Sequence, residues 1–528
     1  MLCNFAVGVK NIEQIIDANG NSESKLHLVI ICGNVECEIS IDPDCTDNLI
    51  KAIQKQIPQA YINPMEKRGN QQLSAYISMI LESGFRSRPT FKAAGWTNCL
   101  GDGLIHKYIH DGLPRDKDFK AQTGKTLYDI TMLTPNESFF HAVRMLFLSK
   151  DIRKTLPLFL VSHLGILFSL FEDAGYPPRF VTFIYGPSGS LKTSVSKIFF
   201  KILKDQSNDI TANFNDTATA LEIKMGNTKD EVLLIDDYRP SALRTEAQRI
   251  NGNFEKLVRF YGDGVGKGRG NVNLTLQNEF KPRSMCAMTG EFLFGTKSSL
   301  LRLLIIHISR NTFDKDLLKF YQDNPRIFTT HIKFFIDYLS IKYEEIVCYI
   351  KENYVKYRNE FRLTLTESRL IDTAVCLKLT AEIIINKYAN ECGLVYPKEI
   401  SAQLGYWNEI IKQVVKESEN LASHNEPYDM YLYAMVNSIN SGELKICGNK
   451  ELYSAYTDGV GFLDARNQFL YIRAQDAYNQ VVRYWDKMGR YFSTTDKTVR
   501  KDLVIHNFLL TQSEERKENT TRVVRINN

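Results

Sequence analysis

The sequence predicts an α/β fold: a parallel sheet with flanking helices, preceded by an α+β domain and followed by a helical extension and a winged helix. Three observations predict it. Arg179–Tyr185 (RFVTFIY) is an apolar strand that runs into a Gly-rich turn, residues 186–193 (GPSGSLKT), which opens a helix. Asp236 follows Lys192 by 44 residues, and with Asp237 it ends the apolar run Val232–Ile235. Around these two motifs strands and helices alternate. Thr193–Leu203 and Ala218–Met225 have helical spacing, while Glu231–Ile235, Arg283–Met288 and Leu303–Ile308 are apolar strands. Such βαβ alternation is the pattern of a parallel sheet wrapped by helices.

A chain of 528 residues is too long for one hydrophobic core. Texture along the chain divides it into an N-terminal α+β domain (1–130), the P-loop core (131–312), a helical extension (313–421) and a small C-terminal unit (422–528). In the first, Lys25–Ile41 reads as two strands around a Gly-Asn turn, and residues 48–56 and 70–84 have helical spacing. Short strands joined by turns account for the Gly- and Asp-dotted segment that follows, from Gly95-Trp96-Thr97 to His110-Asp111-Gly112.

With 44% apolar and 24% charged residues and no low-complexity tract, the composition is that of a soluble globular protein. The net charge of +5 permits a polyanionic partner without requiring one. Ten cysteines occur without a CxxC pair, the pattern of reduced thiols in a cytoplasmic protein. The N-terminus lacks the form of a secretory signal. The one long apolar run, Leu156–Phe171, is too short to span a bilayer and contains His163, so a buried helix against the sheet is expected and no membrane contact.

The turn Gly186-Pro187-Ser188-Gly189-Ser190-Leu191-Lys192-Thr193 has the chemistry a triphosphate requires. Backbone N–H groups of the turn and the following helix N-terminus point at the anion, and the helix dipole favours it. Lys192 is the cation for the β- and γ-phosphates, and Thr193 offers a hydroxyl to Mg²⁺. Leu191 stands where the GxxxxGK[ST] pattern has its last Gly. Asp236 is the expected second Mg²⁺ ligand, acting through water, and Asp237 is the carboxylate expected to orient the attacking water. Its side chain is shorter than the Glu usual there.

Farther along, Thr289 ends a strand where a polar group would sense the γ-phosphate, with Glu291 as the second choice. Arg302 precedes the last apolar strand and suits a finger acting on a neighbouring subunit's ATP, or a surface residue that caps the strand. Residues 261–270 (YGDGVGKGRG) present Lys267 and Arg269 on a glycine-rich loop, followed by the alternating Asn271–Gln277. That basic hairpin suits contact with a phosphate backbone, packing near the nucleotide, or a plain surface loop.

These residues, together with Ala94-Gly95-Trp96-Thr97, Tyr108–Gly112, Ile235–Pro240, Thr289-Gly290-Glu291 and Ser299–Arg302, resemble the helicase-like ATPases of phages and mobile elements that carry the domain of unknown function family 927. Those in turn are similar to the cassette-chromosome helicases related to minichromosome-maintenance helicases. The matched stretches keep a consistent order from Ala94 to Ile308. The resemblance implies an AAA+ core, with Arg302 as the arginine finger and Lys267 and Arg269 on the DNA-contacting hairpin. Arg369 becomes a weaker candidate for a second sensor. Leu191 and Asp237 depart from the minichromosome-maintenance pattern, and Leu300 and Leu301 loosen the Ser-Arg spacing.

In the C-terminal unit, Ala474–Met488 and Ser493–Leu510 read as helices and Arg522–Ile526 as a strand, the order of a winged helix. Such a unit binds duplex DNA or a protein. The function expected from the whole is an ATP- and Mg²⁺-dependent DNA helicase or translocase in mobile-element replication. It would form a hexameric ring with single-stranded DNA in its channel. The rival is a regulatory or defence ATPase that switches on nucleotide binding and unwinds nothing.

Overall fold

The fold is known from a computed structural model. It describes residues 2–16, 22–43, 48–82, 87–91, 95–98, 106–109, 120–121, 133–203, 212–239, 244–266, 281–293, 295–395, 406–423, 426–455, 459–464, 469–487, 492, 494–510 and 521–525.

Period-two alternation builds the N-terminal sheet. Strands β1 (Ala6–Ile16), β2 (Ser22–Cys32), β3 (Val35–Ile41), β4 (Ser87–Phe91) and β7 (Lys120–Ala121) lie in the order β3-β2-β1-β4-β7. Leu26, Leu28 and Ile30 are fully buried on one face of β2, where Ile53 of α1 (Leu49–Gln56) and Ile77 of α2 (Gly69–Glu82) join them in one cluster. The β2–β3 turn falls at Gly33, whose φ of 59° suits glycine.

The second sheet is parallel throughout. It joins β8 (Val181–Tyr185), β9 (Ala212–Asn213), β10 (Lys229–Tyr238), β11 (Arg283–Gly290) and β12 (Leu303–His307) in the order β12-β8-β11-β10-β9. Alternate residues feed two different cores. Ile184, Leu234, Ala287 and Ile306 enter one, and Phe183, Ile235, Met288 and Ile305 the other. Burial on both faces is why these strands read as continuous apolar runs.

On the first face lie α4 (Leu156–Ile166) and α5 (Phe168–Asp173). Every residue of α4 is buried, so the apolar run is a core helix, and among the described residues no helix is long and apolar enough to cross a membrane. The second face is covered by α8 (Arg244–Asp263), through Phe254, Leu257, Val258 and Tyr261. Here the structure corrects the expected loop: Tyr261-Gly262-Asp263 are the last turn of α8. Tyr261 is buried and its hydroxyl lies 3.2 Å from Ser284 Oγ, which holds the helix one turn longer than the glycine suggested.

Two short strands at 95–98 and 106–109 precede the expected boundary at 130, yet they pack with the P-loop core. They are β5 (Gly95–Asn98) and β6 (His106–Ile109). Trp96 and Tyr108 belong to the same buried cluster as α4. Trp96 N donates to Asp230 Oδ2 (2.8 Å), its indole Nε1 to Ile166 O (2.8 Å), and Tyr108 Oη to Asp230 O (2.6 Å). Gly95 sits at φ 115°, and a Cβ there would meet Asp230 Oδ2 at 2.5 Å. The Gly-Trp motif is thus a docking element.

After β12 the chain is helical through α10 (Lys315–Asp323), the 36-residue α11 (Arg326–Phe361), α12 (Ser368–Glu382) and the helix Trp407–Ser423. The last of these covers the β12 edge, where Ile305 N donates to Ser418 Oγ (2.9 Å). The C-terminal unit holds a five-stranded sheet and the helices Pro427–Asn440, Ala474–Lys487 and Asp496–Ile505. The second predicted helix ends early. Asn507 adopts φ 59°, and Leu509–Leu510 pair with Thr521–Arg525 as antiparallel strands.

Candidate functional site: a cleft at the strand ends

The C-terminal ends of parallel strands are where an open α/β sheet leaves a crevice. Here the crevice is lined by residues 188–194, Asp236, Asp237 and residues 289–291, and holds a cavity of about 290 Å³. β8 delivers the Gly-rich turn, β10 the carboxylates and β11 Thr289. Two backbone contacts hold the three strand ends together: Gly186 N donates to Gly290 O (3.2 Å) and Glu291 N to Tyr238 O (3.0 Å). Gly186 has no room for a side chain, because a Cβ would lie 1.8 Å from Ile308 O.

The turn enters α6 (Lys192–Phe200) through Leu191, which takes φ 66° and ψ 18°. That left-handed conformation is why the pattern prefers Gly at this position. A leucine holds it at a cost of about 1–2 kcal/mol. Leu191 is partly buried against the α4 core, a contact glycine would lack.

Asp236 is the centre of the site. Thr193 Oγ1 donates to its Oδ1 (3.0 Å), and Thr289 Oγ1 donates to the same oxygen. The Thr193 hydroxyl and the Asp236 carboxylate are hard oxygen donors brought together from two elements, the set that holds Mg²⁺ beside a phosphate chain. Lys192 Nζ folds onto the turn, donating to Gly186 O (2.8 Å) and Pro187 O (2.9 Å). Burial pushes its pKa below the ordinary value, while the charges of Glu291, Asp236 and Asp237 oppose that, Glu291 most strongly.

Asp237 lies in the same cleft, but its backbone is left-handed (φ 66°). Its N–H donates to Thr289 Oγ1 (3.1 Å), and its carboxylate pairs with Arg239 Nε (3.3 Å). Arg302 sits at the other end of the sheet, where its carbonyl accepts from Val181 N, the first residue of β8 (2.9 Å). It is buried, bonded to Asp263 Oδ1 through Nη2 (2.8 Å) and to Ser298 Oγ through Nη1 (2.9 Å). The length of β8 separates it from its own chain's cleft, so it cannot serve that cleft directly. Arg369, too, reaches Asp263 Oδ1 (3.1 Å), and Gly262 O (3.0 Å). Asp263 therefore joins the two arginines that the sequence singled out separately. Lys267 and Arg269 lie outside the described residues.

The fold has a solved counterpart. The chain is similar to the active helicase Cch of SCCmec type IV. The two align over 98% of this chain and 93% of that one, with a TM-score of 0.59 and 13% identity. The apo C-terminal region of NrS-1 aligns over 98% of this chain and 97% of its own at a TM-score of 0.28 and 10% identity. JCV helicase aligns over 47% of this chain and 67% of its own, at 0.25 and 13%. The last two scores are too low to support an argument. No family model matches the chain, and neither does any curated protein. What the Cch likeness gives is a helicase-like fold along the whole chain.

Proposed function

We propose that this chain is an ATP-hydrolysing DNA helicase or translocase with an AAA+ core, related to the mobile-element ATPases of domain of unknown function family 927. The observation that carries the reading is the convergence of Lys192, Thr193, Asp236 and Thr289 at one end of a parallel sheet. Their order along the chain, and the sheet order with the P-loop strand between β11 and β12, support the AAA+ assignment. The Cch fold supports the helicase reading.

In this reading the residues 186–193 wrap the phosphates of ATP with backbone N–H groups, and Lys192 leaves the turn carbonyls for the β- and γ-oxygens. Thr193 and Asp236 hold Mg²⁺, which supplies charge neutralisation on the phosphates. Thr289, already on Asp236, reports the presence of the γ-phosphate by exchanging that partner. Arg302, displaced from its own cleft by the length of β8, acts on the ATP of the adjacent subunit in a hexameric ring. Lys267 and Arg269 contact single-stranded DNA in the channel, and the C-terminal unit acts as a winged helix on duplex DNA. The setting is replication of a mobile element in the cytoplasm.

The test is ATP hydrolysis with and without single-stranded DNA, on wild type, Lys192→Ala and Lys267→Ala/Arg269→Ala. Stimulation that needs both sites supports a motor. Hydrolysis that ignores DNA and the hairpin leaves the regulatory ATPase instead.

A further inference from the structure

The ATPase reading leaves open which carboxylate activates the attacking water. Sequence order points to Asp237, which follows Asp236 directly. The structure does not favour it. Asp237 is turned by a left-handed backbone, its carboxylate is paired with Arg239, and its short side chain starts from a residue already tied to Thr289.

Glu291 is differently placed. It follows Gly290, the residue at which the P-loop strand and β11 are pinned, since Gly186 N donates to Gly290 O. Its own N–H is held by Tyr238 O at the end of β10. Gly290 permits this close approach, because a Cβ there would meet Phe183 Cζ at 2.8 Å and Tyr238 O at 3.1 Å. The backbone of Glu291 is thereby fixed at the junction of the three strand ends that build the cleft, and the residue lines that cleft together with Lys192, on which its charge acts. Among the described residues none hydrogen-bonds its carboxylate, and it carries one more methylene of reach than Asp237.

We propose that Glu291, and not Asp237, is the general base of ATP hydrolysis in this chain, an inference that rests on the ATPase reading above. The water oxygen bonds to the γ-phosphorus as its proton passes to a Glu291 carboxylate oxygen. The bond from the γ-phosphorus to the bridging oxygen breaks, and its electron pair leaves on ADP. Glu291 then returns the proton to bulk water. Lys192 beside it neutralises the phosphate oxygens and keeps the carboxylate and the γ-phosphate from repelling each other.

The experiment compares Glu291→Gln, Glu291→Asp and Asp237→Asn with wild type at one protein concentration. It measures ATP–Mg²⁺ binding by thermal shift, and kcat and KM by phosphate release. Glu291→Gln is expected to keep the ATP-induced shift and KM while kcat falls by about 10²-fold or more. Glu291→Asp is expected to recover part of that loss, and Asp237→Asn to lose less than about tenfold. Wild-type kcat retained in Glu291→Gln, or a collapse confined to Asp237→Asn, would overturn the assignment. A wild-type chain with no Lys192-dependent hydrolysis would instead overturn the ATPase reading itself, and this inference with it.

Discussion

Replacing Asp230 tests how β5 is held to the core. The carboxylate is wholly buried at the start of β10. It accepts from Trp96 N (2.8 Å) and Ser169 Oγ (2.9 Å) on Oδ2 and from Ser169 N (2.8 Å) on Oδ1. Asp230→Ala leaves these three buried donors without an acceptor, at about 1–3 kcal/mol each. Against that stands the burial of the charge itself, which pushes the pKa of Asp230 up to about 6, with Lys229 and the three donors only partly opposing it. A shift of about two pH units corresponds to roughly 3 kcal/mol of destabilisation of the ionised form, which the alanine removes. At neutral pH the variant should therefore lose up to roughly 6 kcal/mol, the three donors together outweighing the relieved charge.

The sign of the pH dependence follows from the same shift. The folded pKa lies above the unfolded one, so folding takes up a proton between the ordinary value near 4 and about 6. The stability Asp230 gives is greatest below that window and falls as pH rises through it, then stays level. The gap between wild type and Asp230→Ala should be wider at pH 5 than at pH 8 by roughly 1 kcal/mol. Denaturant titration at several pH values, followed by tryptophan fluorescence, reads this directly. A gap that widens as pH rises, or a variant as stable as wild type at pH 5, would refute the pinning role.

Other substitutions address the cleft and its distant arginines. Lys192→Ala should abolish the thermal stabilisation that ATP–Mg²⁺ gives the wild type, about 2.7 kcal/mol at a hundredfold excess over Kd. Gly186→Ala should lose nucleotide binding and destabilise the chain by about 1–3 kcal/mol, because its Cβ has no space beside Ile308 O, and calorimetry with and without ATP separates the two effects. Leu191→Gly should bind ATP as wild type does and change stability by less than about 1 kcal/mol, relief of left-handed strain offsetting the lost core contact. Asp263→Asn should slow hydrolysis at least tenfold with ATP binding unchanged, since it weakens the hold on Arg302 and Arg369 together. A normal rate would detach Arg302 from catalysis.

The parts of the fold that were legible in the sequence are those where one periodicity dominates. β8, β10, β11 and β12 announced themselves because both faces are buried, and α4 because nearly all of it is apolar and every position along it is buried. The docking of β5 and β6 onto the core was not legible, because it rests on contacts such as Trp96 to Asp230, 134 residues apart. In the site, the convergence of Lys192, Thr193, Asp236 and Thr289 was readable from motif order. The bond between Asp263 and two arginines was not, since no local pattern marks a carboxylate that acts across a helix end. Two departures from pattern have one physical cause: Leu191 and Asp237 both adopt left-handed backbone, which the sequence shows only as a missing glycine and an unexpected aspartate.

The most direct test of the central claim is steady-state ATP hydrolysis by the wild type and Lys192→Ala, each with and without single-stranded DNA. A DNA-stimulated rate that Lys192→Ala abolishes is the predicted result. Hydrolysis that persists in Lys192→Ala, or a wild type inactive under every condition, would contradict the cleft's assignment as a catalytic nucleotide site.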